Sequence, residues 1–243
     1  MKAAIAMLST VVLSTAILWS RPAASEDGRA AAAARRVQPA LERELVEAGL
    51  RFGDPVFLRI FKHESELELW VRSGGRYALF RTWPICTWSG ELGPKLRQGD
   101  RQSPEGFYSV GRSQLNPSSR FHLSFNLGYP NAYDRAHGRT GDFLMVHGNC
   151  VSIGCYAMGD AQIEQIYTLV DAALQGGQSR VDVHVFPFRF DRPPRADWRA
   201  QRWGGFWADL EHGFDAFERT QLPPRIDVRD QRYRVHARGD ASG

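Results

Sequence analysis

The sequence predicts an α+β domain, mainly β, with one prominent helix. Three observations carry this. Short runs of β-branched, aromatic and aliphatic residues recur from Val56 to Phe186, bounded by Gly, Pro, Asn and Ser clusters. One long segment, after Met158, has a clean one-sided helical stripe. No internal repeat is present, and 243 residues suffice for one substantial domain with accessory segments.

The elements follow in order. Ser25 to about Gln38 is rich in Ala and Arg and reads as a linker; Pro39 to Gly49 carries a short helical stripe of Leu41, Leu45, Val46 and Leu50. Val56 to Phe61 is an apolar strand. Leu67, Leu69 and Val71 alternate with acids and Arg72, Ser73-Gly74-Gly75 turns, and Tyr77 to Ile85 returns as a hairpin partner. Ser89 to Pro104 has no periodicity and reads as a long exposed loop. Ser103-Pro104-Glu105-Gly106-Phe107-Tyr108 closes it and starts a strand through Val110. Phe121 to Phe125 alternates, Asn126 to Gly141 is a loop, and Phe143 to Val146 is a short strand ending at His147. Asp160 is the expected N-cap of the prominent helix. Ile163, Ile166, Tyr167, Val170 and Leu174 form its buried stripe, and Gly176-Gly177 stops it. Val181 to Phe186 is a strand. Trp203 to Phe217 is an aromatic helical segment, and Ile226 to Val235 adds a strand.

The N-terminus reads as export. Lys2 precedes an apolar stretch from Ala3 to Trp19, and Ala23-Ala24-Ser25 suits cleavage after Ser25. Residues 1–25 are therefore expected to be a signal peptide, 26–50 a linker and short helix, 51–190 the main domain, and 191–243 a C-terminal extension packing on it. The expected location is the periplasm, with membrane attachment only if the apolar segment stays uncleaved. The net charge is +4, and its arginines are scattered among acids rather than gathered in a stripe, which argues against nucleic acid as a partner. There are three cysteines, Cys86, Cys150 and Cys155. An odd count in an oxidising compartment leaves at least one free thiol, and Cys86 can pair with Cys150.

The run from His147 to Met158 carries the chemistry. Thiol acyl transfer needs an imidazole to accept the thiol proton and a thiolate to attack a carbonyl. His147 at a strand end and Cys155 after Gly154 fit those roles. A helix starting just downstream would lower the thiol pKa, and backbone N–H groups near Gly154 and Cys155 would hold an oxyanion. Gly148 suits a tight exit from the strand, Ser152 orients the loop or donates to substrate, and a carbonyl on the His147–Gly148 turn holds the imidazole. His122 shares a face with Ser124 and is expected to line the cleft. Tyr133 and Arg135, in a loop with Tyr129 and Asn131, suit saccharide or peptide contacts. The rival within the motif is a zinc site of His147, Cys150 and Cys155, with His122 or His137 as fourth ligand.

These motifs together resemble the L,D-transpeptidase catalytic domain of YkuD type, and in particular its YafK-like branch. The resemblance runs from about Pro55 to Phe190. It rests on Ser103-Pro104-Glu105-Gly106-Phe107-Tyr108, Phe121-His122-Leu123-Ser124-Phe125-Asn126, Gly128-Tyr129-Pro130-Asn131-Ala132-Tyr133-Asp134, Val146-His147-Gly148 and Ser152-Ile153-Gly154-Cys155. It implies the YkuD-like fold and a Cys155 nucleophile with His147 as base. It further implies a thioacyl-enzyme formed at the diaminopimelate carbonyl of peptidoglycan stem peptides, without metal or organic cofactor. The family commonly has a histidine before the Gly-Cys pair and an arginine two places after the cysteine; here Ile153 and Ala157 stand there. An altered acceptor subsite makes hydrolytic release of a diaminopimelate-linked protein, such as a wall-attached lipoprotein, at least as expected as cross-linking. A wall-binding module with weak catalysis is the competing reading.

Overall fold

The computed structural model describes residues 27–238. The expected signal peptide lies outside them.

The chain opens with α1 (Asp27–Glu47), followed by β1 (Val56–Phe61), β2 (Glu66–Ser73), β3 (Arg76–Pro84) and β4 (Gly106–Val110). Two short strands, β5 (Leu115–Asn116) and β6 (Ser124–Asn126), lead to α2 (Ala132–Ala136), β7 (Met145–His147) and β8 (Tyr156–Ala157). Then come α3 (Asp160–Gln175), β9 (Val181–Phe186), α4 (Gly204–Thr220) and the hairpin β10 (Arg225–Arg229) and β11 (Arg232–His236). The result is a mixed α+β fold dominated by sheets.

The main sheet has the order β3-β2-β1-β9-β4, with β1 and β9 parallel and the other pairs antiparallel. Its central strand β1 is buried along its whole length, and the alternation of its side chains explains why. Val56, Leu58 and Ile60 join a core shared with α1 and α3; Phe61 joins a second, aromatic core under α4, and Phe57 packs on Phe217 of α4. Arg59 points to that second side and is tolerated because Glu68 and Glu218 pair with it at 2.8 and 2.6 Å. The β2–β3 turn places Gly74 and Gly75 at positive φ, the conformation a two-residue hairpin requires. A second sheet, β5-β6-β7-β8, stands apart from the first and carries the motif residues.

Several expectations are corrected. The segment expected as a linker is helical: Ala30–Ala34 are strong helix formers, and α1 runs from Asp27 through Pro39, with Ala33, Leu41 and Leu45 buried. Val46 is 71% exposed and lies off that stripe. The strand expected over 121–125 forms only at Ser124–Asn126, because His122 adopts left-handed backbone at φ +67. The loop expected over 126–141 contains α2, too short for periodicity to reveal; Asn131 accepts from the Asp134 N–H at 2.9 Å and donates its own N–H to the Asp134 carboxylate at 3.0 Å. Gly159, not Asp160, caps α3. The single strand expected over 226–235 is a hairpin turned by Asp230 and Gln231, both at positive φ.

Candidate active-site cleft

A cleft of about 720 Å³ opens beside the second sheet. His147 ends β7 on one side of it. Cys155 sits just before β8 on the other, and Ser152, Ile153 and Gly154 line the approach. Gly154 takes φ +144, and a Cβ there would lie 3.2 Å from the Leu144 side chain, so the turn into Cys155 needs glycine. Gly148 is required by space: a Cβ would come within 2.6 Å of the Asp160 carboxylate and 2.9 Å of the Phe121 carbonyl.

The Cys155 backbone is held by two hydroxyls. Ser152 Oγ donates to its carbonyl at 2.8 Å and Ser103 Oγ at 3.1 Å. The Gly154 N–H donates to Ser152 Oγ at 3.2 Å. That group is therefore engaged within the loop. His147 Nδ1 donates to the Gly148 carbonyl at 2.5 Å, which leaves Nε2 as the acceptor. Phe121 stacks on the imidazole at 4.7 Å.

Electrostatics set the resting state. Burial pushes the Cys155 thiol pKa up, against smaller lowering by the Met145 N–H and Lys95. Burial pushes the His147 pKa down, partly opposed by the Gly148 carbonyl. The thiol contacts the Met145 N–H at 3.4 Å and the Phe143 carbonyl at 3.8 Å; no hydrogen bond joins it to His147 among the described residues. Both shifts favour the uncharged forms of the thiol and the imidazole. The expected helix N-terminus does not help, because β8 follows Cys155 and α3 begins only at Asp160.

Cys86 and Cys150 form a disulfide with Cα atoms 5.5 Å apart, and Cys155 is the free cysteine. The bridge removes two of the three thiols from nucleophilic duty. The third, Cys155, has no hydrogen bond to His147 among the described residues. The reading of an activated cysteine transferase or amidase, forming a thioacyl-enzyme at a diaminopimelate carbonyl, does not stand on this resting geometry. The zinc reading fails with it, since Cys150 is consumed in the bridge, and no group of three His, Cys, Asp or Glu among the described residues is placed to hold a metal.

The three expected substrate contacts lie elsewhere. His122 Nε2 meets Glu164 at 2.7 Å, in a network completed by Arg36 of α1. Tyr133 stacks on Tyr233 at 4.3 Å in the aromatic core. Arg135 is exposed and donates to the Pro130 carbonyl. The cleft is lined instead by residues to which sequence reasoning gave no role, among them Lys95, Arg101, Asn116 and Arg120, together with Phe121 and Ser124. Alternation pointed to the segment around Ser124, but the left-handed turn at His122 breaks the parity that would have assigned its face. Nothing local marks Arg101, which folding brings in from the long loop.

Comparison with known proteins places this architecture. The model of the L,D-transpeptidase catalytic domain, YkuD, matches residues 58–185. YafK of Escherichia coli (strain K12) is 49% identical over 183 residues, covering 75% of this chain and 74% of its own. Among solved structures, the helical cell shape determining protein Pgp2 of Campylobacter jejuni (K307A mutant) overlays with a TM-score of 0.46 at 22% identity, over 73% of this chain and 63% of that one. Bd1075 of Bdellovibrio bacteriovorus overlays at 0.40 and 16% identity, over 75% and 82%. On the family match and the identity to YafK, the chain belongs to the L,D-transpeptidase catalytic domain (YkuD) family.

Proposed function

We propose that the protein binds peptidoglycan stem peptides in the His147–Cys155 cleft and turns them over weakly. The observation that carries this is the cleft itself: an open site between His147 and Cys155, in which no hydrogen bond joins the thiol to the imidazole among the described residues. Family membership supports peptidoglycan as the ligand. The disulfide supports work in an oxidising compartment, the periplasm, because such bridges persist there and are rare in the cytosol. No described helix is long and apolar enough to cross a membrane. A lipoprotein joined to the wall would meet the protein through the same peptide.

The test combines binding and product analysis. Calorimetry with a diaminopimelate-containing stem tetrapeptide is expected to give saturable binding, weakened at least fivefold by Phe121→Ala. Chromatography of the same mixtures is expected to show little conversion over hours. Absence of binding would defeat the proposal. Rapid conversion that disappears in Cys155→Ala would replace weak turnover by catalysis.

A further inference from the structure

The second sheet sets three polar side chains in one row across the cleft floor. Asn116 of β5 pairs with Ser124 of β6, and Ser124 pairs with His147 of β7. Directly paired residues project to the same face of a sheet, and all three line the cleft. With strands about 4.8 Å apart, the row is about 10 Å long, the span of about three extended residues. Its next member, Ala157 on β8, is apolar and fully buried.

Ser124 is the anomaly in this row. It is 1% exposed, and its Oγ has no hydrogen-bond partner among the described residues. Buried hydroxyls are almost always paired, because an unmade hydrogen bond leaves the full desolvation cost standing. Its neighbours are matched to a ligand as well. Asn116 Oδ1 accepts from the Ser118 N–H at 3.1 Å, which leaves its amide hydrogens free to donate. Arg120 lines the same cleft, is exposed, and has no ion-pair partner among the described residues. At the other end, His147 Nε2 is left as an acceptor. Asn116 at one end and Ser124 in the middle thus offer amide and hydroxyl donors, with the Arg120 guanidinium in the same cleft, and His147 at the other end offers an acceptor.

We infer that Asn116, Ser124 and Arg120 form a carboxylate-binding subsite, which takes the free carboxylate of a bound peptide while His147 Nε2 accepts from the adjacent amide N–H. This rests on the stem-peptide reading above and names the group within that ligand which the cleft selects. Ser124 donates to the carboxylate, Asn116 supplies a second donor, and Arg120 supplies the charge. Selectivity follows because a carboxamide in the same place brings N–H groups against donors.

The experiment compares a diaminopimelate-containing stem tetrapeptide bearing a C-terminal carboxylate with its C-terminal carboxamide. Calorimetry is run on the full protein at two salt concentrations. The acid is expected to bind about tenfold more tightly than the amide. Ser124→Ala should reduce acid binding about fivefold and leave amide binding unchanged, with no loss of thermal stability, since it removes an unpaired buried hydroxyl. Arg120→Gln, on the surface, should halve or better the acid preference and flatten its salt dependence. Equal binding of acid and amide by wild type, or a preference unchanged in both variants, overturns the subsite while the stem-peptide reading survives. Binding of neither peptide defeats that reading and the subsite with it.

Discussion

At the scale of single residues, the decisive quantity is the charge state of Cys155. Burial pushes its thiol pKa up, and no hydrogen bond joins it to an imidazole among the described residues, so the protonated thiol is favoured. The expected result is that bromobimane labelling of Cys155 rises with a midpoint above that of an ordinary cysteine. A midpoint near neutrality, lost in His147→Ala, would show that the thiolate–imidazolium pair forms after all. Gly154 is the second residue whose chemistry is fixed by geometry. Gly154→Ala must hold φ near +144 and push a methyl against Leu144, which should cost about 1–3 kcal/mol in urea unfolding. The position of Gly154 before the cysteine was legible in the sequence; the upward thiol shift was not, because it depends on what buries the sulfur.

At the scale of elements, two cross-links hold the cleft together. The Cys86–Cys150 bridge ties the segment after β3 to the loop between β7 and Cys155, across 64 residues. Chain-entropy reasoning gives such a closure about 4 kcal/mol, and native bridges commonly deliver about 2–4. Cys150→Ser should therefore lower stability by about that amount and loosen amide-exchange protection in the 149–155 loop first. The second cross-link is the fully buried pair of Lys62 and Glu105 at 3.0 Å. Lys62 also donates to the carbonyls of Glu91, Gly93 and Ser103, and Trp207 Nε1 donates to Glu105 at 2.8 Å. These bonds order the long 89–104 loop, which sequence reasoning read as exposed and of the type that often carries function. Lys62→Met leaves a buried carboxylate unpaired and should cost about 3–5 kcal/mol, whereas Lys62→Met with Glu105→Leu should recover part of the loss. A double variant no more stable than the single would show that the other hydrogen bonds, not the charges, dominate.

At the scale of the whole molecule, the sheet is buried between two cores, and that burial gives the fold an acid-sensitive group. His184 of β9 packs edge-to-face with Phe57 and Phe107, and its Nδ1 has no hydrogen-bond partner among the described residues. Burial, with a smaller contribution from Arg59, lowers its pKa to about 3. A depressed histidine pKa means the unfolded chain takes up the proton first. Stability is unaffected well above pH 6.5 and is lost as pH falls from about 6.5 towards about 3, on the order of 4 kcal/mol in all. His184→Phe should flatten this limb of the stability–pH curve. An acid limb of unchanged slope would assign the loss to other groups.

The sequence by itself determined the fold class, most strands of the main sheet, the helix after the motif, and the pairing of Cys155 with Gly154 and of His147 with its strand end. Each of these is local: strand alternation, helical periodicity and glycine's backbone freedom are written within a few neighbouring residues. Only the tertiary structure decided which side chains share the cleft. Ser124 and Asn116 arrive there through strand register, and Arg101 through a loop anchored by a buried ion pair, while His122 and Tyr133 are drawn away by Glu164 and by the aromatic core. The charge states of Cys155 and His147 belong to the same class, because desolvation is set by residues distant in the chain that fold over them.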